Sequence, residues 1–178
     1  MTVIAWIMEG TWQACVDAAR EHAPAQAEII LLHVTSPEAA GAAHGAYAGL
    51  LGRGHPERDP GRQVEEQQAA SAADLLAAAA GRLGRPCTPV QRTGRPEREV
   101  IAAAAGAGLL VLARDGDRSR LGPHSLGRAG RFVVDHAPCP VLLVWPGEPP
   151  AIQTIPPPPP GRHPGRPGHH GPRGHRAR

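Results

Sequence analysis

The chain contains no lysine, because all 19 of its basic residues are arginine. This absence excludes mechanisms that depend on a lysine amine, such as Schiff-base chemistry and phosphate binding by a P-loop. Aromatic residues make up only 3% of the 178 residues, so we expect a core of valine, isoleucine, leucine and alanine. No apolar run reaches the roughly 20 residues that a membrane-spanning helix requires, and we expect no membrane partner.

Cysteine is also scarce. Cys15, Cys87 and Cys139 are odd in number and show no Cys-x-x-Cys spacing, which argues against a disulfide framework and against a structural zinc site. The chain begins directly with a strand-like run and has neither a basic n-region nor a cleavage site, so no signal peptide is predicted. We therefore expect a cytoplasmic protein in a reducing compartment, without a bound metal.

The basic charge of the chain lies in its C-terminal tail. Residues 151–178 contain five arginines and no acidic residue, whereas residues 1–150 contain 14 arginines and 16 acidic residues, a net charge of −2. Residues 147–178 are rich in proline, glycine, histidine and arginine, a composition that predicts disorder, with polyproline II structure at residues 156–160. The tail could make weak electrostatic contacts with nucleic acid or anionic lipid, but nothing in it predicts a specific nucleic-acid partner.

Runs typical of strands and of helices alternate over residues 1–146. Short aliphatic runs between turn residues predict strands, at residues 2–7, 27–34, 87–92, 109–113 and 141–145. Apolar residues at helical spacing after a capping residue or a proline predict helices, at residues 11–22, 63–84, 96–106 and 128–136. Residues 35–62 carry six glycines and three prolines, and we predict a flexible insertion or a lid there.

This alternation predicts one α/β domain over residues 1–146, with a doubly wound five-stranded parallel sheet sandwiched by helices. In such sheets ligands bind beyond the carboxyl ends of the strands, where the strand order reverses. The turn at residues 9–11 and the loop at residues 114–127 each follow a predicted strand, so both are candidates for a binding site.

Four segments together carry a family resemblance. They are the strand and turn at residues 3–11, the Gly94-Arg95-Pro96 turn, the strand and loop at 109–116, and the ending Ala-Pro-Cys-Pro-Val-Leu-Leu-Val at 137–144. In this order they resemble the universal stress protein family over residues 2–34 and 63–145. The ending is the most specific segment, and it starts ten residues after Gly127. The resemblance implies the Rossmann-like fold of that family and a non-enzymatic protein of the stress response.

The resemblance also implies an adenine-nucleotide site. ATP-binding members carry Gly-x-x-Gly, nine residues and then Gly-Ser or Gly-Thr, which lets free amides at a helix start meet the phosphates. An acid at the end of the first strand contacts the base or ribose side. Carried over to this chain, the site comprises Glu9, Gly10, Thr11, Val34, Ala113, Arg114, Gly116, Gly127, Arg128 and Ala129. ATP or another adenine nucleotide is thus a candidate ligand that the resemblance does not require.

The glycine pattern departs from that of the family. Of the first two glycines of the family pattern, this chain keeps only Gly116. Ten residues rather than nine separate Gly116 from Gly127, and Arg128 occupies the position of the serine or threonine. Asp115 and Asp117 bring negative charge to this loop, and its arginines bring positive charge. Two interpretations stay open: arginine side chains take over the phosphate contacts, or the loop no longer holds a triphosphate and its glycines only permit its turns.

Two further functions are open besides nucleotide binding. The last strand is predicted at a sheet edge, where an exposed apolar strand invites pairing. The resemblance implies homodimers joined there, through Val141, Leu142, Leu143 and Val144, so a nucleotide-independent dimeric interaction module is the alternative. A small nucleotide-using enzyme on the same fold is a third hypothesis, for which the sequence shows no metal site, no lysine and no paired carboxylate.

Overall fold

Strands and helices alternate along most of the chain. The computed structural model describes residues 1–50, 60–155 and 157. Its strands are β1 (Thr2–Trp6), β2 (Glu28–Thr35), β3 (Thr88–Thr93), β4 (Leu109–Ala113) and β5 (Val141–Val144). Its α-helices are α1 (Trp12–His22), α2 (Glu38–Leu50), α3 (Pro60–Leu83), α4 (Pro96–Ala104) and α5 (Arg128–His136). Short 3-10 turns lie at Pro123–Ser125 and Ile152–Thr154.

The strands are all parallel and form one sheet in the order β3-β2-β1-β4-β5. β1 is central, because Val3 lies opposite Ile29 of β2 on one side and opposite Leu109 of β4 on the other. The predicted doubly wound five-stranded parallel sheet is therefore confirmed. The chain adds β2 and β3 on one side of β1 and then β4 and β5 on the other, so the strand order reverses between β1 and β4.

Helices cover both faces of the sheet, which explains why its central strands are unbroken aliphatic runs. Side chains that follow one another in a strand point to opposite faces. Val3 and Ala5 of β1 accordingly pack in the core layer formed with α1 and α3, whereas Ile4 and Trp6 pack in the layer formed with α4 and α5. All four side chains are at most 2% exposed. This two-sided burial fixes the position of the loops at the carboxyl ends of the strands.

A helix lies where the sequence predicts a flexible insertion. Within residues 35–62, α2 occupies Glu38–Leu50, and α3 begins three residues before its predicted start. The many alanines and the acidic residue in the first turn favour the helix. The glycines among them are more typical of a loop, and for this reason the sequence pattern does not predict the helix. α2 packs on α3, and a ring nitrogen of His44 lies 3.2 Å from a carboxylate oxygen of Glu65. Residues 51–59 lie outside the described part, and the flexibility of the insertion stays a prediction.

The first residues of the predicted disordered tail return to the domain. Thr154 Oγ1 accepts a hydrogen bond from the Leu121 N–H at 3.0 Å and donates one to Ala151 O at 2.6 Å. The chain thus keeps a contact with the domain beyond residue 147, where the tail is predicted to begin. Apart from Pro157, the chain after residue 155, with the predicted polyproline stretch, lies outside the described residues.

The two edges of the sheet differ in chemistry. β3 contains Pro89, which cannot donate a hydrogen bond to a further strand, and its side chains alternate between exposed and half-buried. β5 is wholly apolar, its four side chains are half-buried, and among the described strands it pairs with β4 alone. Within the described ranges, no helix has both the length and the apolar content needed to cross a membrane.

Candidate functional site

The first candidate segment is the tight turn between β1 and α1. The amides of Thr11 and Trp12 both donate to Met8 O, at 3.2 and 3.0 Å, and so start α1 directly after the strand. Gly10 has a φ of +77°, a conformation that glycine adopts without steric cost. Thr11 is buried, and its hydroxyl lies 3.5 Å from Met8 O. The turn therefore leaves Glu9 exposed at the carboxyl edge of the sheet, which is the edge where all five strands end.

Glu9 lines a groove beyond the ends of β1 and β2, here called the β1–β2 groove. Its volume is about 390 Å³, and its lining includes Glu9, His33, Val34, Ser36, Gln67 and Ser71. The predicted pair Glu9 and Val34 therefore shares one groove. His33 Nδ1 lies 2.8 Å from Ile7 O, and because a carbonyl only accepts, this nitrogen carries the ring hydrogen. The groove combines an apolar wall with donors and acceptors, as small-molecule sites do.

The second candidate segment, the loop after β4, closes on itself. The Gly116 N–H donates to Ser125 O at 3.0 Å, and the Asp117 N–H donates to His124 O at 2.8 Å. A Cβ added to Gly116 would collide with the backbone carbonyl of His124. Gly116 is therefore required by the close approach of the two halves of the loop, a constraint that the sequence pattern only hinted at.

Arg114 is engaged within this loop. Its Nη1 donates to Ser125 Oγ, and its guanidinium carbon lies 4.8 Å from the centre of the Trp145 ring, an arrangement typical of a cation–π contact. Ser125 is fully buried and donates in turn to Gly122 O at 2.7 Å. Arg114 Nε is buried and has no hydrogen-bond partner in the described part of the chain. The side chain thus fastens the loop to the end of β5.

Asp115 lies at the start of α5. Its Oδ1 accepts a hydrogen bond from the Gly127 N–H at 2.8 Å. A Cβ added at Gly127 would lie 2.6 Å from Asp115 Oδ2, and one added at Gly130 would lie 2.9 Å from Oδ1. The two glycines therefore leave a space that the carboxylate fills, where the positive end of the helix dipole favours an anion. The negative charge of Asp115 is evident from the sequence, whereas its hydrogen-bond partner, twelve residues away, is not.

Asp117 belongs to a surface turn of the same loop. It accepts hydrogen bonds from the Ser119 hydroxyl at 2.6 Å and from the Ser119 N–H at 3.0 Å, and it forms an ion pair with Arg120 at 3.1 Å. The Ser119 hydroxyl is the main cause that lowers the pKa of the Asp117 carboxyl. Its charge therefore stabilises the turn.

A second groove contains the remaining predicted residues and is here called the arginine groove. Its volume is about 470 Å³, and its lining includes Ser36, Arg95, Arg98, Arg128, Ala129 and Phe132, together with the acidic Glu38 and Glu97. Arg95 forms an ion pair with Glu97, at 3.1 Å. Ser36 lines both this groove and the β1–β2 groove. Ser36, Arg95 and Arg98 are not among the predicted site residues. Ser36 follows β2, whereas Arg95 and Arg98 lie just before and within α4, and these segments meet only in the fold.

The predicted residues are therefore divided among five environments. Glu9 and Val34 line the β1–β2 groove, Arg128 and Ala129 line the arginine groove, and Gly10 and Thr11 form the first turn. Ala113 is fully buried at the end of β4, and Arg114, Gly116 and Gly127 take part in contacts that close the loop.

The cysteines are isolated from one another. Burial raises the pKa of the Cys15 thiol to about 12, and it also raises the pKa values of Cys87 and Cys139. All three are free thiols, and a raised pKa makes each a poor nucleophile. Across the described residues, no three histidine, cysteine or acidic side chains group together as metal ligands would.

Known proteins share this architecture. The model of the universal stress protein family matches residues 9–144. The solved structure of the hypothetical protein MJ0577 matches with a TM-score of 0.61 at 14% identity, over 81% of this chain and 94% of that chain. Universal stress protein UspA from Lactobacillus plantarum matches with a TM-score of 0.54 at 22% identity, over 80% of this chain and 96% of that chain. A universal stress protein family protein from Arabidopsis thaliana, solved with AMP bound, matches with a TM-score of 0.51 at 21% identity, over 82% of this chain and 91% of that chain. No curated protein matches the chain.

These solved structures are less than 25% identical to the chain, so they establish the fold alone. The family model goes further, because it covers most of the chain and includes the turn after β1, the loop after β4 and β5. The chain therefore belongs to the universal stress protein family.

Proposed function

We propose that this protein is a non-enzymatic universal-stress-type protein that binds an adenine nucleotide at the carboxyl edge of its sheet. The proposal is supported by the family membership and by the related Arabidopsis thaliana protein, whose structure contains AMP. It is also supported by the position of the two grooves beyond the carboxyl ends of the strands, which is the side of the sheet where doubly wound folds bind ligands. We expect the protein to act in the cytoplasm.

The β1–β2 groove suits the nucleoside part of such a ligand. The exposed carboxylate of Glu9 can accept hydrogen bonds from ribose hydroxyls, and Val34 offers an apolar surface to a base. Gln67 and Ser71 of α3 add amide and hydroxyl groups on the opposite wall. These groups match the mixed polarity of a nucleoside.

The arginine groove suits the phosphate. Arg95, Arg98 and Arg128 are exposed side chains that line one groove, and guanidinium groups bind phosphate oxygens through paired hydrogen bonds. The observation that carries the proposal is that Ser36 lines both grooves. One ligand with an uncharged and an anionic end can therefore occupy the two together.

Calorimetric titration with AMP tests the proposal. We expect saturable binding by the wild-type protein, and a loss of about tenfold or more in affinity for Glu9→Gln, because a hydrogen bond to a charged group contributes about 1.5–3 kcal/mol. Arg128→Ala should weaken AMP binding without weakening adenosine binding. Glu21→Gln is the matched control, since Glu21 is an exposed acid on α1 that lines neither groove.

Absence of AMP binding at millimolar concentration would contradict the nucleotide site. The non-enzymatic part has its own test, in which purified protein is incubated with ATP and released phosphate is measured. Sustained turnover that is lost in Arg114→Ala would instead favour the small nucleotide-using enzyme.

A nucleotide-independent dimeric interaction module is the second candidate. One observation favours it: the apolar strand β5 is a sheet edge with half-buried side chains, and such edges tend to pair with another strand. Light scattering at tens of micromolar should then show a homodimer that Leu143→Arg dissociates. Gln91→Arg on β3, the opposite edge, should leave the dimer intact. A monomeric wild-type protein would rule this candidate out.

A further inference from the structure

We infer that Asp115 determines how many phosphates the bound nucleotide carries: its carboxylate occupies the start of α5, so the carboxyl edge accepts a nucleoside monophosphate and excludes a triphosphate. This inference rests on the proposed nucleotide site and specifies its ligand. The carboxylate of Asp115 occupies the position that a ligand anion would take, and Asp115 is in this sense a specificity-determining residue.

The carboxylate of Asp115 lies close to the backbone at the start of α5. Asp115 Oδ1 accepts from the Gly127 N–H at 2.8 Å, and Gly127 and Gly130 lack the Cβ atoms that would overlap its oxygens. A helix start attracts one anion through its free amides and its dipole. Because a carboxylate of the chain already holds that position, a phosphate group would have to displace it and would meet its negative charge.

The other amides of the loop offer little replacement. Many of them already donate within the chain, over distances of 2.8–3.4 Å; these are the amides of Gly116, Asp117, Ser119, Leu121, Ser125 and Leu126. A loop that cradles a phosphate chain needs several amides directed at the ligand. Opening this loop for a triphosphate would break these bonds, together with the hydrogen bond that fastens Arg114 to Ser125.

A single phosphate avoids this conflict. The arginine groove is lined by three arginines, Arg95, Arg98 and Arg128, and by two acidic residues, Glu38 and Glu97, of which Glu97 is paired with Arg95. Asp115 is not among its lining residues. One phosphate can therefore be bound by guanidinium groups while the contact between Asp115 and Gly127 persists. The additional phosphates of ATP would have to extend toward the closed loop or into solvent.

Two substitutions separate the charge of Asp115 from its hydrogen bond. Asp115→Asn keeps an oxygen that can accept from Gly127 and removes the charge, whereas Asp115→Ala removes both. Asp135→Asn is the matched control, because it removes one negative charge from an exposed position near the other end of α5. Circular dichroism and thermal unfolding would verify that each variant is folded.

Calorimetry with AMP and with ATP gives the readout as a ratio of the two affinities. We expect wild-type protein and Asp135→Asn to bind AMP at least tenfold more tightly than ATP. In Asp115→Ala the ratio should fall by tenfold or more, because ATP binds more tightly. The ratio for Asp115→Asn should lie between those of the wild-type protein and Asp115→Ala. A ratio that is the same in wild-type protein and in both Asp115 variants would overturn the inference while leaving the nucleotide site intact.

Tripolyphosphate alone provides a test that needs no nucleotide. We expect the Gly127 amide resonance to shift on addition of tripolyphosphate in Asp115→Ala and to stay in place in wild-type protein. If the Gly127 resonance shifts in Asp115→Ala but the wild-type protein does not bind AMP, the result would support the role of Asp115 and contradict the proposed nucleotide site. A Gly127 resonance that does not respond in any variant, with no change in the affinity ratio, would overturn the inference.

Discussion

The turn after β1 and the loop after β4 lie beside each other at the same edge of the sheet, yet they use their polar groups differently. After β1 a few residues start a helix directly, and Glu9 remains exposed in a groove. After β4 the longer loop pairs with itself, and Arg114 and Asp115 bind residues of the same loop. A segment that satisfies its own donors becomes rigid but has little left for a ligand. We therefore expect the proposed ligand to be recognised by side chains of the grooves more than by the glycine loop.

The largest effect is expected from breaking the closed loop at its tightest point. In Gly116→Ala the new methyl group would collide with the backbone carbonyl of His124, so the two halves of the loop must separate. We expect the free energy of unfolding to fall by about 2–4 kcal/mol, as measured by urea denaturation. Gly81→Ala on α3 is the control, since a Cβ there meets nothing within 4 Å and alanine favours a helix. Equal stability of the two variants would contradict the closed loop.

A smaller loss is expected when the loop is detached from β5. Arg114→Ala removes the hydrogen bond to Ser125 and the contact with the Trp145 ring. We expect a destabilisation of about 1–3 kcal/mol, measured by thermal or urea unfolding. Arg118→Ala, an exposed neighbour in the same loop, should change stability by less than about 0.5 kcal/mol. If the two alanine variants lost the same stability, the conclusion that Arg114 connects the loop to the end of β5 would be wrong.

The contact between the tail and the loop can be broken without touching the core. Thr154→Val removes the oxygen that accepts from the Leu121 amide, at an expected cost of about 0.5–1.5 kcal/mol. Hydrogen exchange should show faster exchange of the Leu121 amide, with core amides of β4 unchanged. Gln153→Ala, an exposed residue of the same 3-10 turn, serves as the control. An unchanged Leu121 amide would show that the tail does not restrain the loop in solution.

The smallest effect concerns the pH response of the surface turn. The Ser119 hydroxyl is the main cause that lowers the pKa of Asp117, so Ser119→Ala should raise that pKa toward its ordinary value near 3.8. Because the pKa is lower in the folded protein, the contribution to stability is present above the ordinary carboxyl pKa and disappears as the pH falls through the folded-state pKa. An NMR titration of the Asp117 carboxyl below about pH 5 measures the difference between the two proteins. The same pKa in both would rule out this hydrogen bond.

Much of the fold could be predicted from local patterns. The aliphatic runs that became β1, β2 and β4 are buried on both faces, and burial of this kind leaves a clear pattern in the sequence. Helix α2 was missed because Gly41 and Gly45 interrupt a run of alanines, and a pattern of small residues distinguishes helix from loop poorly. Its packing on α3, a contact between segments distant in sequence, decides the outcome.

The site could be predicted only in part, because its contacts cross large sequence separations. Glu9 and Val34 line one groove because Glu9 follows β1 and Val34 lies near the end of the neighbouring β2, and their role in nucleotide binding stays a prediction. The bond from Gly127 to Asp115 spans twelve residues, and the bond from Leu121 to Thr154 spans 33. No periodicity encodes such pairs, so the sequence could indicate the charge of Asp115 but not the group that it binds.

The hydrogen bond between Leu121 and Thr154 joins the first residues of the C-terminal extension to the loop at the carboxyl edge of the sheet. Removal of the chain from residue 151 onward would leave the Leu121 amide without this acceptor, in the loop that Asp115 and Arg114 also stabilise. A shortened protein is therefore not equivalent to the full chain, and nucleotide affinity should be measured on protein that retains Thr154.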